Sequence, residues 1–123
     1  MKYKRRNDLL LRIDNPKGHK TGHSLLLSSI YKDMEKVIIN SPAIQEVLDA
    51  MLRRYLNTKE RNVIKMRYGI NKYYTMTLQE IADKYNISRE RVRQIEERAL
   101  DELRNPESLN EIEKHVTLTS AVH

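Results

Sequence analysis

Cysteine, phenylalanine and tryptophan are absent from this 123-residue chain, and glycine and proline occur only three times each. Without cysteine there is no disulfide scaffold, no thiolate nucleophile and no sulfur-ligated zinc, and nothing calls for an oxidising compartment, so the cytoplasm is the default. Long apolar runs are missing too. The basic start MKYKRR leads into LLLRI, whose apolar stretch is broken by Arg12 and is far too short for a signal-peptide core or a membrane span. There is no Gly-rich phosphate loop and no paired acidic arrangement suited to acid–base work, so no enzyme and no cofactor are expected. His19 and His23 stand four apart, but with Gly22 between them and no third ligand near they fall short of the three or four groups a closed metal site needs. His115 and His123 read as surface residues.

The residues that are present point to helices. With 39% hydrophobic and 33% charged residues and so few helix breakers, the chain suits one small all-α domain, its core drawn from Leu, Ile, Val, Met and Tyr. The net charge of +6 favours an anionic partner, nucleic acid before membrane. The basic excess lies in residues 1 to 40 and 58 to 104, whereas the tail beyond is acidic.

Residues 1 to 23 read as a basic arm, with Asn15-Pro16-Lys17-Gly18 as a turn. The KYKRR run fits either a phosphate-binding arm or a solubilising terminus. From Ser24 to Asn40, Leu27, Ile30, Tyr31, Met34, Val37 and Ile38 recur at spacings of three and four, which predicts an accessory amphipathic helix capped by Ser24. Such a stripe meets its own core more often than a partner. A second helix opens at Ser41-Pro42 and carries the stripe Ile44, Val47, Leu48, Met51, Leu52, Tyr55 and Leu56. A third runs from Lys59 to Tyr68 and stops at Gly69. Thr77-Leu78-Gln79-Glu80 is a capping box opening a fourth, and Ser88 caps a long fifth that ends near Arg104, before Asn105-Pro106. In the tail, residues 107 to 123, Leu109, Ile112 and Val116 outline one more short helix.

Residues 78 to 97 fit a helix-turn-helix. Ala82 is the small residue needed where the two helices touch, Asn86 tolerates the left-handed turn, and Val92 and Ile95 face inward. On a wheel centred on Val92, Glu90, Arg93, Gln94 and Glu97 fall roughly 100° to 160° away, opposite the core stripe. Arginine grips guanine, glutamine pairs with adenine and glutamate accepts from cytosine, so this face suits reading the major groove. A salt-bridged, solvated helix face is the competing reading, although such faces usually carry more lysine.

LNTKERNVIKMRYGI and TLQEIADKYNISRERVRQIEERALDELRNP closely resemble region 4, the C-terminal domain of primary (sigma-70 type) bacterial sigma factors, over residues 41 to 106. The resemblance implies a helix-turn-helix of the winged-helix-like DNA-binding superfamily that binds double-stranded promoter DNA at the -35 element and docks on the flap of the RNA polymerase β subunit. Carried over position by position, it implies base reading by Arg89, Glu90, Arg93 and Gln94. It implies phosphate contacts from Lys59, Arg67, Thr77, Ser88 and Arg91, and flap docking through Val47, Leu48, Met51, Leu52, Tyr55 and Val63. Arg91, Glu96 and Arg98 match positions that meet activators or DNA backbone.

Lys59 stands where arginine is usual, and Asp101 and Glu102 replace commonly basic residues. Nothing in residues 1 to 40 resembles region 2, the module that opens DNA. The expectation is therefore a promoter-recognition protein in the cytoplasm of a bacterium or phage-infected host, without membrane attachment. It would act as one subunit of a split sigma factor or beside a second protein that opens the promoter, an arrangement that suggests phage origin. The alternative is a polymerase-binding regulator, anti-sigma or co-activator, that occupies the region 4 site without specific DNA reading. An ordinary operator-binding repressor is a third possibility.

Overall fold

The computed structural model describes residues 21–71 and 74–120. The MKYKRR arm, the Asn15-Pro16 turn, His19 and His123 lie outside the described residues. Among the described residues, six helices and two strands follow in chain order: α1 (Gly22–Ile30), β1 (Met34–Ile39), α2 (Ile44–Tyr55), α3 (Thr58–Tyr68), α4 (Leu78–Tyr85), α5 (Arg89–Leu103), α6 (Pro106–Glu113) and β2 (Val116–Ser120). The fold is helical, as expected, with one two-stranded antiparallel ribbon added.

That ribbon corrects the reading of residues 24 to 40 as one helix. Thr21, not Ser24, caps α1, its hydroxyl accepting from the Ser24 amide at 3.1 Å. The helix stops at Ile30, and Met34–Ile39 pairs with Val116–Ser120, placing Val37 opposite Leu118 and Ile39 opposite Val116. Met34, Val37 and Ile38 are spaced for a helix, but the β-branched run Val37-Ile38-Ile39 also suits a pleated strand, and the alternating VTLTS segment supplies its partner. Val116 accordingly leaves the tail helix, which ends at Glu113.

The middle helices follow their local signals. Asn57 and Glu60 form a capping box on α3, and Gly69 closes it in a left-handed conformation at φ 67°. Thr77 and Glu80 form the second box, on α4. On α6, Asn105 caps and Pro106 takes the first turn, where its missing N–H costs nothing.

Two apolar clusters result. The larger joins Leu25, Leu26, Leu27 and Ile30 of α1 to Leu48 and Leu52 of α2, Ile64 and Tyr68 of α3, Leu100 and Leu103 of α5, and Ile112 of α6. The smaller holds Val63, Met66, Ile81, Ala82, Val92 and Ile95. Helices α3 and α5 therefore have a side in each. Gly22 makes the seating of α1 possible, because a Cβ there would lie 2.6 Å from the Tyr68 carbonyl oxygen.

Candidate nucleic-acid interface

The interface is built on the turn between α4 and α5. Asn86 adopts φ 56°, ψ 46°, and its amide bonds back to the end of α4. The Ile87 amide donates to the Ala82 carbonyl at 3.0 Å. Ser88 then caps α5, its hydroxyl accepting from the Arg91 amide at 3.0 Å. Ala82 is fully buried between the helices beside Val92 and Ile95. A larger side chain at Ala82 would push α5 away from α4.

This packing leaves Arg89, Glu90, Arg93, Gln94 and Glu97 exposed along one face of α5. Arg93 is held there by its neighbour: Nε donates to Glu90 Oε1 at 2.9 Å and Nη2 to Oε2 at 2.7 Å, while Glu97 lies 4.0 Å away. The hydrogen bond from Arg93 holds the Glu90 carboxyl below its usual range, and the same bond raises Arg93. Both side chains are about half exposed or more. Solvent screens such a pair, so Arg93 can exchange the carboxylate for another planar acceptor at little cost.

Around this face, Arg91 and Ser88 are exposed and Thr77 is half-buried at the start of α4. Lys59 is exposed with its ammonium 5.9 Å from the Tyr85 ring centre. Arg67 sits differently. Its side chain is only 15% exposed, and the guanidinium donates to Glu96 Oε1 and to the Met76 carbonyl, each at 3.2 Å. The structure thus turns Arg67 into the domain instead of grouping it with the phosphate-facing candidates.

Leu48, Met51, Leu52 and Val63, expected as docking contacts, are also interior, and only Val47 and Tyr55 of that set retain appreciable surface. The regular stripe on α2 is core. Arg98 is exposed and lies 3.6 Å from Glu60, the capping acid of α3.

Glu96, which matches a position that meets activators or DNA backbone, points inward here, 12% exposed, between Arg67 and Tyr68. The wheel carries the signal, since Glu96 falls roughly 40° from Val92, on the core flank, where an acid needs buried partners. Arg104 had no assigned role. It donates to the Ser29 and Ile30 carbonyls at 2.8 and 3.0 Å, closing the end of α1, while Asp101 steadies it at 3.1 Å. The atypical Asp101 thus has a structural use in this chain. Among the described residues no group of three or more potential ligands is placed to hold a metal, and no helix is long and apolar enough to cross a membrane.

A buried α4–α5 crossing, a left-handed turn residue and an exposed Arg/Glu/Gln face at the start of α5 define a helix-turn-helix DNA-binding domain. Residues 54–105 match the family model for sigma-70, region 4. The chain is 36% identical over 83 residues to RNA polymerase sigma factor SigA of Bacillus sp, covering 65% of this chain and 22% of that protein. It is 37% identical over 73 residues to RNA polymerase sigma factor SigA of Nostoc sp., covering 59% of this chain and 17% of that protein. The similarity to sigma-70 region 4 thus falls on residues 54–105, from the end of α2 to the end of α5. The chain spans about a fifth of the length of these relatives.

Proposed function

We propose that this protein takes part in transcription initiation through a region 4-like module that binds RNA polymerase and reads -35-like promoter DNA. In this reading α5 enters the major groove and Arg89, Glu90, Arg93 and Gln94 meet base edges. Lys59, Thr77, Ser88 and Arg91 hold phosphates, with Arg67 bracing the motif from inside. Its main support is the exposed face at the start of α5, which brings the four base-reading candidates together. The polymerase contact, on the β flap, is carried over from the sigma region 4 resemblance.

The direct experiment is selection of binding sites from a random duplex pool, followed by binding of Arg93→Ala and Gln94→Ala. Each variant should lose about 1 to 3 kcal/mol on the selected site and relax preference at its own base pair. A second reading, a polymerase-bound regulator that reads no sequence, draws on the Glu90 carboxylate already filling the Arg93 fork. It predicts no enriched site and wild-type behaviour from both variants. Co-purification with core polymerase tests the partner, and failure to associate would remove the sigma-like role altogether.

A further inference from the structure

A chain of polar side chains runs beneath the reading face, from α1 through α3 to α5. Tyr68 Oη lies 2.8 Å from Ser29 Oγ and 3.0 Å from Glu96 Oε2. With one proton to give, the phenol donates to the carboxylate and accepts from the serine hydroxyl. Burial first, and then the charge of Glu96, push the Tyr68 phenol well above its ordinary range, so it remains a donor. The other Glu96 oxygen takes Arg67 Nε at 3.2 Å, and Arg67 also bonds the Met76 carbonyl, just ahead of the α4 cap. Glu96 therefore joins α5 to α3, to the segment entering α4 and, through Tyr68, to α1.

We propose that Glu96 is a positioning residue for DNA reading: its bonds to Arg67 and Tyr68, extended to Ser29, set the rotation of α5 and hence the direction of Arg89, Glu90, Arg93 and Gln94. The reason is geometric. A turn of α5 by roughly 20° would carry a group about 6 Å from the helix axis sideways by about 2 Å, enough to break both bonds. The apolar contacts of Val92, Ile95 and Ala99 tolerate small rotations better, because dispersion is not directional. Glu96 is three residues from Arg93 on the same rigid helix, so a rotation fixed at one is fixed at the other. Ser29 brings α1, which lies outside the region 4 match, into the same linkage.

The proposal rests on the DNA reading argued above, and its test separates the two. Glu96→Gln removes a negative charge and frees Arg67, so charge alone predicts tighter binding to any duplex. Positioning predicts that preference for the site selected by the wild-type chain over a scrambled duplex falls about tenfold, the worth of one well-aligned base contact. Tyr68→Phe, which keeps the core volume, should lose about threefold of that preference. Residual dipolar couplings of the α5 amides, measured against those of α3, should show α5 turned in both variants. Should Glu96→Gln fail to fold, Tyr68→Phe decides. A folded variant that keeps either the wild-type preference or the wild-type α5 orientation overturns the proposal. If the wild-type chain selects no site, the DNA-reading function fails, and the couplings alone judge whether Glu96 sets α5.

Discussion

The two ends of α5 belong to different kinds of structure. Its first half packs with α3 and α4 around Val63, Met66, Ile81, Ala82, Val92 and Ile95. The capping boxes and turn residues of that half lie within a few positions of the helices they define. Its second half packs with α1, α2 and α6, and the contacts there join residues far apart in sequence: Tyr31 donates to Glu113 at 3.0 Å, and Arg104 to the end of α1. His23 Nε2 lies 2.9 Å from Asp49 Oδ1 and ties the start of α1 to α2. The reading half is thus shaped by local signals, whereas the supporting half is shaped by contacts between segments far apart in sequence. Because α3 and α5 have a side in both, the halves should be one thermodynamic unit.

Leu26→Ala strikes the supporting half hardest. Leu26 is fully buried in the larger cluster, and deleting a buried leucine side chain costs about 2 to 5 kcal/mol. Urea unfolding should show a single transition with a lowered midpoint and an unchanged slope. Two separate transitions, with the helix-turn-helix melting at its original midpoint, would show that the halves are independent.

Asn86 strikes the reading half with less force. Its φ of 56° is left-handed, so Asn86→Ala should cost about 1 to 2 kcal/mol, whereas Asn86→Gly should be nearly neutral. The same unfolding measurement, with the two substitutions side by side, distinguishes backbone strain from loss of the asparagine side chain. Equal losses in both would mean that the side chain, not the dihedral, matters.

This asymmetry also explains what the sequence alone could reveal. Helices α3, α4 and α5 were legible because a capping acid three residues on, Gly69 and Asn86 are local marks. The Asn57–Glu60 box on α3 is a mark of the same local kind. The β1–β2 ribbon was not legible. Val37 meets Leu118 across most of the chain's length, and the spacing of Met34, Val37 and Ile38 satisfies a helix while the β-branched run Val37-Ile38-Ile39 suits a strand. The exposure of Arg89, Glu90, Arg93 and Gln94 along one face of α5 was legible by helix periodicity. The inward placement of Arg67 was not, since residue type gives a charge without saying which carboxylate claims it, and the claimant, Glu96, is 29 residues away.

Lys59 offers the smallest effect and the finest distinction within the reading half. Its ammonium stands over the Tyr85 ring in solvent, so Lys59→Gln should change stability by no more than about 1 kcal/mol. If Lys59 meets a phosphate, its removal should lower the slope of log affinity against log salt by about 1, equally on the selected site and on a scrambled duplex. Arg93→Ala should do the reverse, changing the ratio between those duplexes more than the salt slope. The contrast depends on which face each side chain serves. Lys59 leads α3 and stands over Tyr85 at the end of α4, where it can add charge to the complex without touching a base edge. A change in sequence preference from Lys59→Gln would place it among the base readers, and an unchanged slope would leave it as a packing partner of Tyr85.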